Sequence, residues 1–509
     1  KGSSASGRAG GFSYNETKKD QLKGQYVGGI IGYGQSTILS SCSTKKNGYI
    51  LGDKYVGGIA GGFRGAIRAD GEVQVTTNAS YVIGNSYVGG IVGKNTENVT
   101  IENCVNNGVA AGYDRYIGGI TGYNDATIAD CASYLSDYNN SIFKMIVSAW
   151  KATGDYVGGI TGYNNGKITF SKASQKITVK SVSSIVVGNN YVGGIAGFND
   201  VAGTLDVNYT LIGGKIYAYG DCAGGGFGFN ASTEVLTKEL TIKPTSVQGR
   251  YYVGGCIGAN VVNLSKNLTM EYFRADNRLG SIVGEAFCGG IIGYQRTYTA
   301  KQFGTGALLD EMDAQQSAIL PGIDGKTNLP GAEAASANTH TLTIRDSRNE
   351  NNSLQTITNN IPIRAWLYVG GIVGCCENNS KLVISNCVNE GTIGTPANDD
   401  TQHTHAKNGV NLATFIAGEV DGRQLADGAA DVTICPIGGI IGVNLKNQVI
   451  EHCTNKGTIT GTSGIGGIVG LNAGSVRSCN LTENFGSASI SYLGGISGIN
   501  LGTITECTT

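Results

Sequence analysis

The segment Tyr26-Val27-Gly28-Gly29-Ile30-Ile31-Gly32-Tyr33 decides the fold, because versions of it return along the whole chain. Thirteen copies occur, and their first glycines are Gly28, Gly57, Gly89, Gly118, Gly158, Gly193, Gly224, Gly254, Gly289, Gly370, Gly438, Gly466 and Gly494. Most steps between copies are 28 to 35 residues long, one is 40, and two are 81 and 68. A recurring period in this range is typical of a repeat architecture.

Each repeat predicts three short β-strands separated by glycine and asparagine turns. The motif is the first strand, a stretch such as residues 503–507 is the second, and a stretch such as residues 455–461 is the third. A repeat of 28 residues read this way leaves no room for a helix, and it buries an apolar face only by stacking on its neighbour. We therefore predict an all-β fold, a parallel β-solenoid (β-helix) of about thirteen three-strand coils with two long insertions.

Stacked coils predict columns of identical side chains. Coils spaced at roughly 4.8 Å would give a rod on the order of 60 Å long. Period-2 alternation along the motif places Tyr26 and Ile30 on one face and Val27 and Ile31 on the other, and we predict that the Ile30 face is the interior. The tyrosines that precede the motif should form one ladder, made of Tyr26, Tyr55, Tyr87, Tyr116, Tyr156, Tyr191, Tyr252, Tyr368 and Tyr492.

The spacing of the copies divides the chain into six segments. Residues 1–25 hold a degenerate coil, 26–295 are regular coils, 296–366 are an insertion, 367–394 are one coil, 395–434 are a polar loop, and 435–509 are coils again. In the first insertion, residues 307–316 predict a short helix, and 339–345 and 354–363 predict strands of a coil that lost its glycines. Residues 134–151 predict either a short helix or a bulging strand. Insertions of a solenoid are expected to carry binding.

The G-G-[IL]-[VIAT]-G-x-N pattern resembles the GLUG motif repeat of large bacterial surface proteins, including adhesin-like proteins and regions attached to IgA-specific metalloproteases. The resemblance covers most of the chain, although Gly226-Phe227 and Cys256 depart from the usual isoleucine. It implies a non-enzymatic, extracellular segment at the bacterial cell surface that displays binding elements for a host or matrix glycan or protein ligand. Three alternatives stay open: a stalk beside a protease domain outside this segment, a polysaccharide-processing β-helix enzyme, and a self-assembling filament subunit.

Charge and hydropathy exclude some classes of partner. The 37 basic and 38 acidic residues leave a net charge of −1, so we expect no binding of nucleic acid. No run of eighteen apolar residues occurs, and we expect no direct membrane insertion. The first six residues lack an initiator Met and an apolar signal core, which favours a fragment of a longer protein.

Thirteen cysteines, an odd number, cannot all pair within the chain. Six of them follow a valine or isoleucine by three residues, namely Cys104, Cys131, Cys387, Cys453, Cys479 and Cys507, and Cys42 lies near the same place. We predict a ladder of buried thiols, because a free cysteine behaves as a small hydrophobe. Disulfides between adjacent coils, such as Cys453 with Cys479, are the main alternative, and metal binding is a third.

His403 and His405, with Asp399 and Asp400, form the single cluster of metal-type ligands in the sequence. Zinc or nickel could use such a pair of imidazoles. Histidines beside carboxylates are also common in solvated loops, which is the interpretation we favour.

Signatures of catalysis are missing from the sequence. It contains no H-E-x-x-H, P-loop or G-x-S-x-G pattern, and its turns carry Asn, Thr and Ser rather than lines of carboxylates. We predict no catalytic residues, no cofactor and no enzyme activity in this segment. Aromatic residues recur after the third glycine and suit either sugar rings or a structural ladder, and we favour the ladder; they are Tyr33, Tyr123, Tyr163, Phe198, Phe229 and Tyr294.

Overall fold

A computed structural model describes all residues except 1–20, 69–74, 97–99, 134–144, 150–153, 171–184, 208–210, 213, 238–239, 243–245, 272, 276–279, 299–339, 346, 349–353, 356–357, 360–362, 377–379, 396–409, 413–431 and 483–490. The chain forms two compact units, Lys1–Val247 (unit 1) and Gln248–Thr509 (unit 2). The described part of both units consists of short β-strands and turns, with one short 3-10 helix, Val235–Thr237, in unit 1.

The strands of unit 1 fall into five rows, and each row takes one strand from successive repeats. The motif row contains Gln25–Gly28, Lys54–Gly57, Ser86–Gly89, Ile117–Gly118, Val157–Gly158, Val192–Gly193 and Ala223–Gly224. The second row contains Ile31–Ser40, Ala60–Arg68, Val92–Asn95, Thr121–Asn124, Thr161–Asn164, Ala196–Asn199 and Phe227–Asn230.

Three further rows complete the repeats of unit 1. The third row contains Thr100–Glu102, Thr127–Ala129, Lys167–Phe170 and Thr204–Val207. The fourth row contains Thr76–Asn78, Cys104–Asn106, Ala132–Ser133, Leu211–Ile212 and Leu240–Ile242. The fifth row contains Tyr49–Leu51, Tyr81–Gly84, Val109–Gly112, Met145–Ala149, Ile185–Gly188, Lys215–Ala218 and Ser246–Gln248.

Unit 2 repeats the same five rows. Its motif row contains Tyr251–Gly254, Ala286–Gly289, Leu367–Gly370, Ile437–Gly438, Ser463–Gly466 and Ser491–Gly494. Its second row contains Ile257–Asn263, Ile292–Tyr298, Val373–Cys376, Ile441–Asn444, Val469–Asn472 and Ser497–Asn500.

The remaining rows of unit 2 follow the same order along the chain. The third row contains Leu268–Met270, Thr341–Arg345, Lys381–Ser385, Gln448–Glu451, Ser475–Arg477 and Thr503–Thr505. The fourth row contains Phe273–Ala275, Thr358–Asn359, Val388–Asn389, Thr454–Asn455 and Asn480–Leu481, and the fifth row contains Ser281–Val283, Ile363–Arg364 and Ile393–Gly394. Two short antiparallel pairs lie outside the rows, Ser347–Arg348 with Leu354–Gln355 and Val410–Asn411 with Thr433–Ile434.

Neighbouring strands within a row are parallel and in register, so equivalent residues of the motif face each other. Gly57 pairs with Gly89 in unit 1, and Gly438 pairs with Gly466 in unit 2. The prediction of an all-β chain with parallel stacking of its repeats is therefore confirmed.

The structure has five rows of strands, whereas the sequence predicted three strands per repeat. The difference arises because the motif and the third predicted strand of the repeat each bend and so contribute to two rows. In the second repeat the bend lies at Ile59, where the amides of Ile59 and Ala60 both donate to the carbonyl of Ile91, at 2.8 and 3.1 Å. Val56, Ile59 and Ala60 are all completely buried. The prediction that only the Ile30 face of the motif lies in the interior was wrong. It assumed that side chains alternate between two faces along one straight strand, and the bend interrupts that alternation.

Two glycines of the motif are required by close approach of the backbone. A Cβ on Gly57 would lie 1.8 Å from the carbonyl oxygen of Ala60 in the same bend. A Cβ on Gly58 would lie 2.0 Å from the carbonyl oxygen of Gly90 in the next repeat. Consequently the first glycine makes the bend, and the second lets adjacent repeats come together.

Where a tyrosine precedes the motif, it adopts a left-handed backbone. Its φ is 55° at Tyr55 and Tyr87 and 63° at Tyr116. This region costs a non-glycine residue on the order of 1 kcal/mol. Hydrogen bonds on both sides of the residue hold it there, for example Tyr116 N to Asp155 O at 3.1 Å and Val88 N to Tyr116 O at 2.9 Å.

The two long steps each lie within a single repeat, because the glycines at their ends pair directly. Gly289 pairs with Gly370, and Gly370 pairs with Gly438. The predicted strand at 339–345 is confirmed as Thr341–Arg345, which pairs with third-row strands on both sides. Residues 145–149 form a strand, in agreement with the bulging-strand alternative for that segment. The predicted helix at 307–316 and the degenerate copy at residues 10–15 lie outside the described residues.

Candidate binding surface

Two parallel columns of aromatic rings run along unit 1 and form its candidate binding surface. The outer column is the ladder that precedes the motif, and it contains Tyr26, Tyr55, Tyr87, Tyr116, Tyr156 and Tyr191. The inner column follows the third glycine, and it contains Tyr123, Tyr163, Phe198 and Phe229. Ring centroids within the outer column are 4.7 to 5.1 Å apart. The predicted tyrosine ladder is therefore confirmed in this unit.

The two columns pack edge to face against each other. Tyr116 meets Tyr123 at a centroid distance of 5.8 Å and an interplanar angle of 82°, and Tyr191 meets Phe229 at 5.9 Å and 81°. This is the geometry that the ring quadrupole favours. The rings therefore stabilise the stacking of the repeats.

Stacking decides what the columns can offer to a ligand. The two faces of a ring inside a column are covered by the rings of the preceding and following repeats, so only its edge and hydroxyl group can reach solvent. Exposure falls from 42% at Tyr26, at one end of the outer column, to 0% at Phe198 and Phe229; Tyr33, which is separated from the inner column by Gly62 and Lys94, is 50% exposed. A sugar ring needs an aromatic face, and the described interior of the columns does not present one. The structural ladder that we favoured from the sequence fits this geometry.

A lysine side chain lies among the rings of both columns. The Nζ atom of Lys94 is 4.8 Å from the ring centroid of Tyr123 and 5.8 Å from that of Tyr87. Lys94 takes the place of an aromatic residue in the inner column, because it pairs in register with Tyr123. The cation–π contact extends the inner column by one repeat beyond Tyr123.

Burial keeps the column hydroxyls protonated. It raises the pKa of Tyr123 and of Tyr163, and the negative charges of nearby carboxylates raise both further. Tyr163 donates its hydroxyl to Asp200 Oδ2 at 2.6 Å. The hydroxyls are therefore neutral hydrogen-bonding groups near neutral pH.

In unit 2 the first three equivalent rings are buried, whereas Tyr492 is 41% exposed and is separated from Tyr368 by Pro436 and Gly464 at the equivalent positions, so the predicted ladder is interrupted before Tyr492. Tyr252 stacks on Phe287 at 5.2 Å, and Phe287 stacks on Tyr368 at 4.7 Å. All three are at most 2% exposed, and Tyr294 is 7% exposed. This cluster belongs to the core of the unit and offers no surface.

Columns of amides run beside the aromatic columns and were not predicted from the sequence. The last residue of each second-row strand is usually asparagine, and its Nδ2 donates to the Oδ1 of the next copy. Asn95 donates to Asn124 at 2.6 Å, and Asn444 donates to Asn472 at 2.7 Å, with all four fully buried. The fixed asparagine after the third glycine was the signal in the sequence. Most of these amides satisfy one another inside the unit, although the buried Oδ1 of Asn444 has no hydrogen-bond partner.

The cysteines that we grouped as a ladder share one local geometry. The residue before each of them has a left-handed backbone, with φ of 51° at Asn103 and 52° at His452. The thiol donates to the carbonyl two residues earlier, as in Cys104 to Glu102 at 3.3 Å and Cys453 to Glu451 at 3.2 Å. All thirteen cysteines are free thiols in the structure.

The backbone register also groups these cysteines into columns. The members in unit 1 are Cys104 and Cys131, and those in unit 2 are Cys387, Cys453, Cys479 and Cys507. Burial raises the pKa of Cys453, and a hydrogen bond with Cys453 and burial raise that of Cys479.

The candidate metal ligands Asp399, Asp400, His403 and His405 lie outside the described residues. Within the described part of the chain, no three His, Cys, Asp or Glu side chains are grouped so that they could hold a metal ion. No described helix is long and apolar enough to cross a membrane.

The geometry defines a class, namely an all-β chain whose repeats pair in parallel through a glycine motif. Comparison with known proteins adds no family to this description. No protein-family model, no curated protein and no solved structure matches the chain.

Proposed function

We propose that this chain is a non-enzymatic repeat segment of a large bacterial surface protein that extends and displays binding elements outside the cell. Each unit would be a parallel β-solenoid of GLUG-like repeats, with about thirteen coils along the chain. The observation that supports this proposal is the direct pairing of equivalent glycines in successive repeats, such as Gly57 with Gly89 and Gly438 with Gly466. Such pairing lets a chain lengthen without a larger core.

The described repeats leave few groups for ligand binding. Their aromatic faces are stacked, their buried amides bond to one another, and their thiols point to backbone carbonyls. Binding would therefore fall to the two insertions, 296–366 and 395–434, which leave the repeats without interrupting the pairing of the motif strands on either side. The proposed ligand is a host or matrix glycan or protein.

The first insertion can be removed at a position that the register defines. Asn263 pairs with Tyr298, and Leu268 pairs with Leu342, so residues 264–266 are the regular connection that 299–340 replace. A variant that carries Leu-Ser-Lys in place of 299–340 should keep every described third-row pair of this repeat.

The second insertion can be removed in the same way. Ile393 bridges to Ile459, and Ile437 pairs with Ile465, so two residues, Gly461 and Thr462, correspond to the long connection 395–434. A variant that carries Gly-Thr in place of 395–434 tests this insertion separately.

The test compares the whole chain with each variant and with the double variant for binding to surfaces coated with mucin or with an extracellular-matrix extract. We expect circular dichroism and thermal stability to be retained and binding to be lost in at least one variant. Equal binding by the double variant would overturn the assignment of binding to the insertions. Absence of binding by the whole chain would favour a spacer beside another domain.

A further inference from the structure

Tyr163 is a buried phenol that is hydrogen-bonded to a buried carboxylate. Tyr163 is 1% exposed, and Asp200 is 3% exposed. The hydroxyl donates to Asp200 Oδ2 at 2.6 Å, a distance typical of a hydrogen bond to an ionised carboxylate. Stacking of the inner column does not need this bond, because its next two members are Phe198 and Phe229. The phenol proton therefore lies beside a group that can accept it, for a reason other than packing.

A turn holds the carboxylate in place. Asp200 Oδ1 accepts a hydrogen bond from the amide of Val201 at 2.8 Å, which leaves Oδ2 for Tyr163. The amide of Asp200 donates to Asn164 O, and the amide of Gly203 donates to Asp200 O, both at 2.9 Å. The proton acceptor is therefore positioned before any reaction takes place.

Stacked rings connect the buried phenol to partly exposed tyrosines. Tyr163 stacks on Tyr123 with a centroid distance of 4.8 Å and an interplanar angle of 13°. Tyr123 is partly exposed, and its ring centroid lies 6.1 Å from that of Tyr87, which is also partly exposed. An electron can pass between neighbouring aromatic rings, whereas a proton needs a hydrogen-bonded acceptor. An oxidant at the surface can therefore take an electron from Tyr163 while the proton stays inside the unit.

The preceding repeat has an amide in place of this carboxylate. Asn165 is equivalent to Asp200, because each follows an asparagine of the same in-register pair, Asn164 with Asn199. Their amides also make equivalent bonds, Asn165 N to Asn124 O at 2.8 Å and Asp200 N to Asn164 O at 2.9 Å. A side-chain amide does not accept a phenol proton near neutral pH. The repeat that contains Asp200 therefore provides a proton acceptor that the preceding repeat does not provide at this position.

We propose that Tyr163 is a redox-active tyrosine, which gives one electron by way of Tyr123 to a one-electron oxidant at the surface while its proton passes to Asp200. The O–H bond of the phenol breaks, Asp200 Oδ2 takes the proton, and the oxidant is reduced by one electron. The products are a neutral tyrosyl radical and a carboxylic acid. A one-electron reductant reverses the reaction, because the proton returns to the phenol oxygen. This activity is separate from the display of binding elements.

Two test variants copy residues that the columns already contain. Asp200→Asn places an asparagine where the preceding repeat has Asn165, and Tyr163→Phe copies Phe198, with which Tyr163 is in contact in the same column. Both variants keep the stack of rings, so we expect circular dichroism to show that they fold. Tyr55→Phe is the matched control, because it makes the same change in the outer column.

The experiment oxidises the folded 509-residue chain at neutral pH with ruthenium(III) tris(bipyridine) generated by a light flash. Electron paramagnetic resonance is recorded after a delay in which radicals on exposed tyrosines decay by coupling. We expect a persistent neutral tyrosyl radical in the unchanged chain and in Tyr55→Phe. Tyr163→Phe should abolish it, and Asp200→Asn should lower its yield by at least about tenfold, the effect expected for loss of one charge-assisted hydrogen bond.

Three results would each overturn the proposal. The first is the absence of a persistent tyrosyl radical in the folded, unchanged chain. The second is an unchanged signal in Tyr163→Phe or its loss in Tyr55→Phe, since either would place the radical on another ring. The third is an equal yield in Asp200→Asn, since it would mean that the carboxylate does not take the proton.

Discussion

The second glycine of the motif sets the separation between repeats, and Gly439→Ala tests this role. A Cβ at residue 439 would lie 2.1 Å from the carbonyl oxygen of Gly467 and 2.5 Å from Asn455 Cγ. Ordinary contact begins at 3.4 Å, so the two repeats would have to separate locally by about 1 Å.

That separation would break three hydrogen bonds between the repeats. The amides of Gly439, Ile440 and Ile441 donate across the contact at 3.3, 2.9 and 3.2 Å. At about 1 kcal/mol each, their loss costs about 3 kcal/mol. The smaller conformational freedom of alanine in the unfolded chain returns about 0.7 kcal/mol. The net destabilisation is about 2 kcal/mol, which corresponds to about a 30-fold change in the local opening equilibrium.

Hydrogen exchange measured by mass spectrometry is the appropriate assay, since repeats open locally as well as globally. We expect exchange about 30-fold faster in the peptides that contain residues 437–441 and 465–470. Gly394→Ala is the control, because a Cβ there would meet only the Thr460 hydroxyl oxygen, at 2.8 Å. Equal exchange rates in the two variants would refute the argument that backbone contact fixes this glycine.

Three further predictions concern the columns. Asn124→Ala leaves two buried amide partners without a hydrogen bond, and it should lower the free energy of unfolding in urea by about 2–3 kcal/mol. Asn500→Ala is the control, because Asn500 lies at an exposed end of its column, and it should lower the free energy of unfolding by less than about 1 kcal/mol. Cys104→Thr should leave the melting temperature nearly unchanged, because Thr76 already fills the same position, and a large drop would contradict this equivalence. Folding raises the pKa of Tyr163, so the protonated hydroxyl contributes its full stabilisation below about pH 10, and this stabilisation is lost as the pH rises above that value. Tyr163→Phe should therefore make the melting temperature fall less steeply between pH 10 and 11. An unchanged slope would contradict this.

The sequence predicted the relation between repeats better than the path of the chain inside one. Stacking follows from a short repeat that cannot bury its apolar face alone, and the aligned tyrosines follow from stacking. The bend at Ile59 and the left-handed Tyr55 were not predicted, because both are unfavourable for an isolated peptide. Hydrogen bonds and ring contacts with adjacent repeats outweigh that local cost.

The candidate site was predictable only in part. The recurrence of aromatic residues such as Tyr123 and Phe198 predicted that they have a structural role. The structure adds that the faces of these rings are covered by the rings of neighbouring repeats. The asparagine columns could have been found from the fixed position of Asn124 and its equivalents, since a polar residue at a constant place in stacked repeats must find its partner in the next copy. The predicted metal ligands lie outside the described residues, so His403 and His405 remain a sequence-based hypothesis.

The direct pairing of Gly289 with Gly370 across an 81-residue step means that the length of a connection is independent of the spacing between repeats. The junction between Tyr298 and Thr341 can therefore be treated as a grafting site, at which one peptide is exchanged for another while the neighbouring strands stay in register. Natural variation at such junctions would alter what the protein presents without altering how it folds.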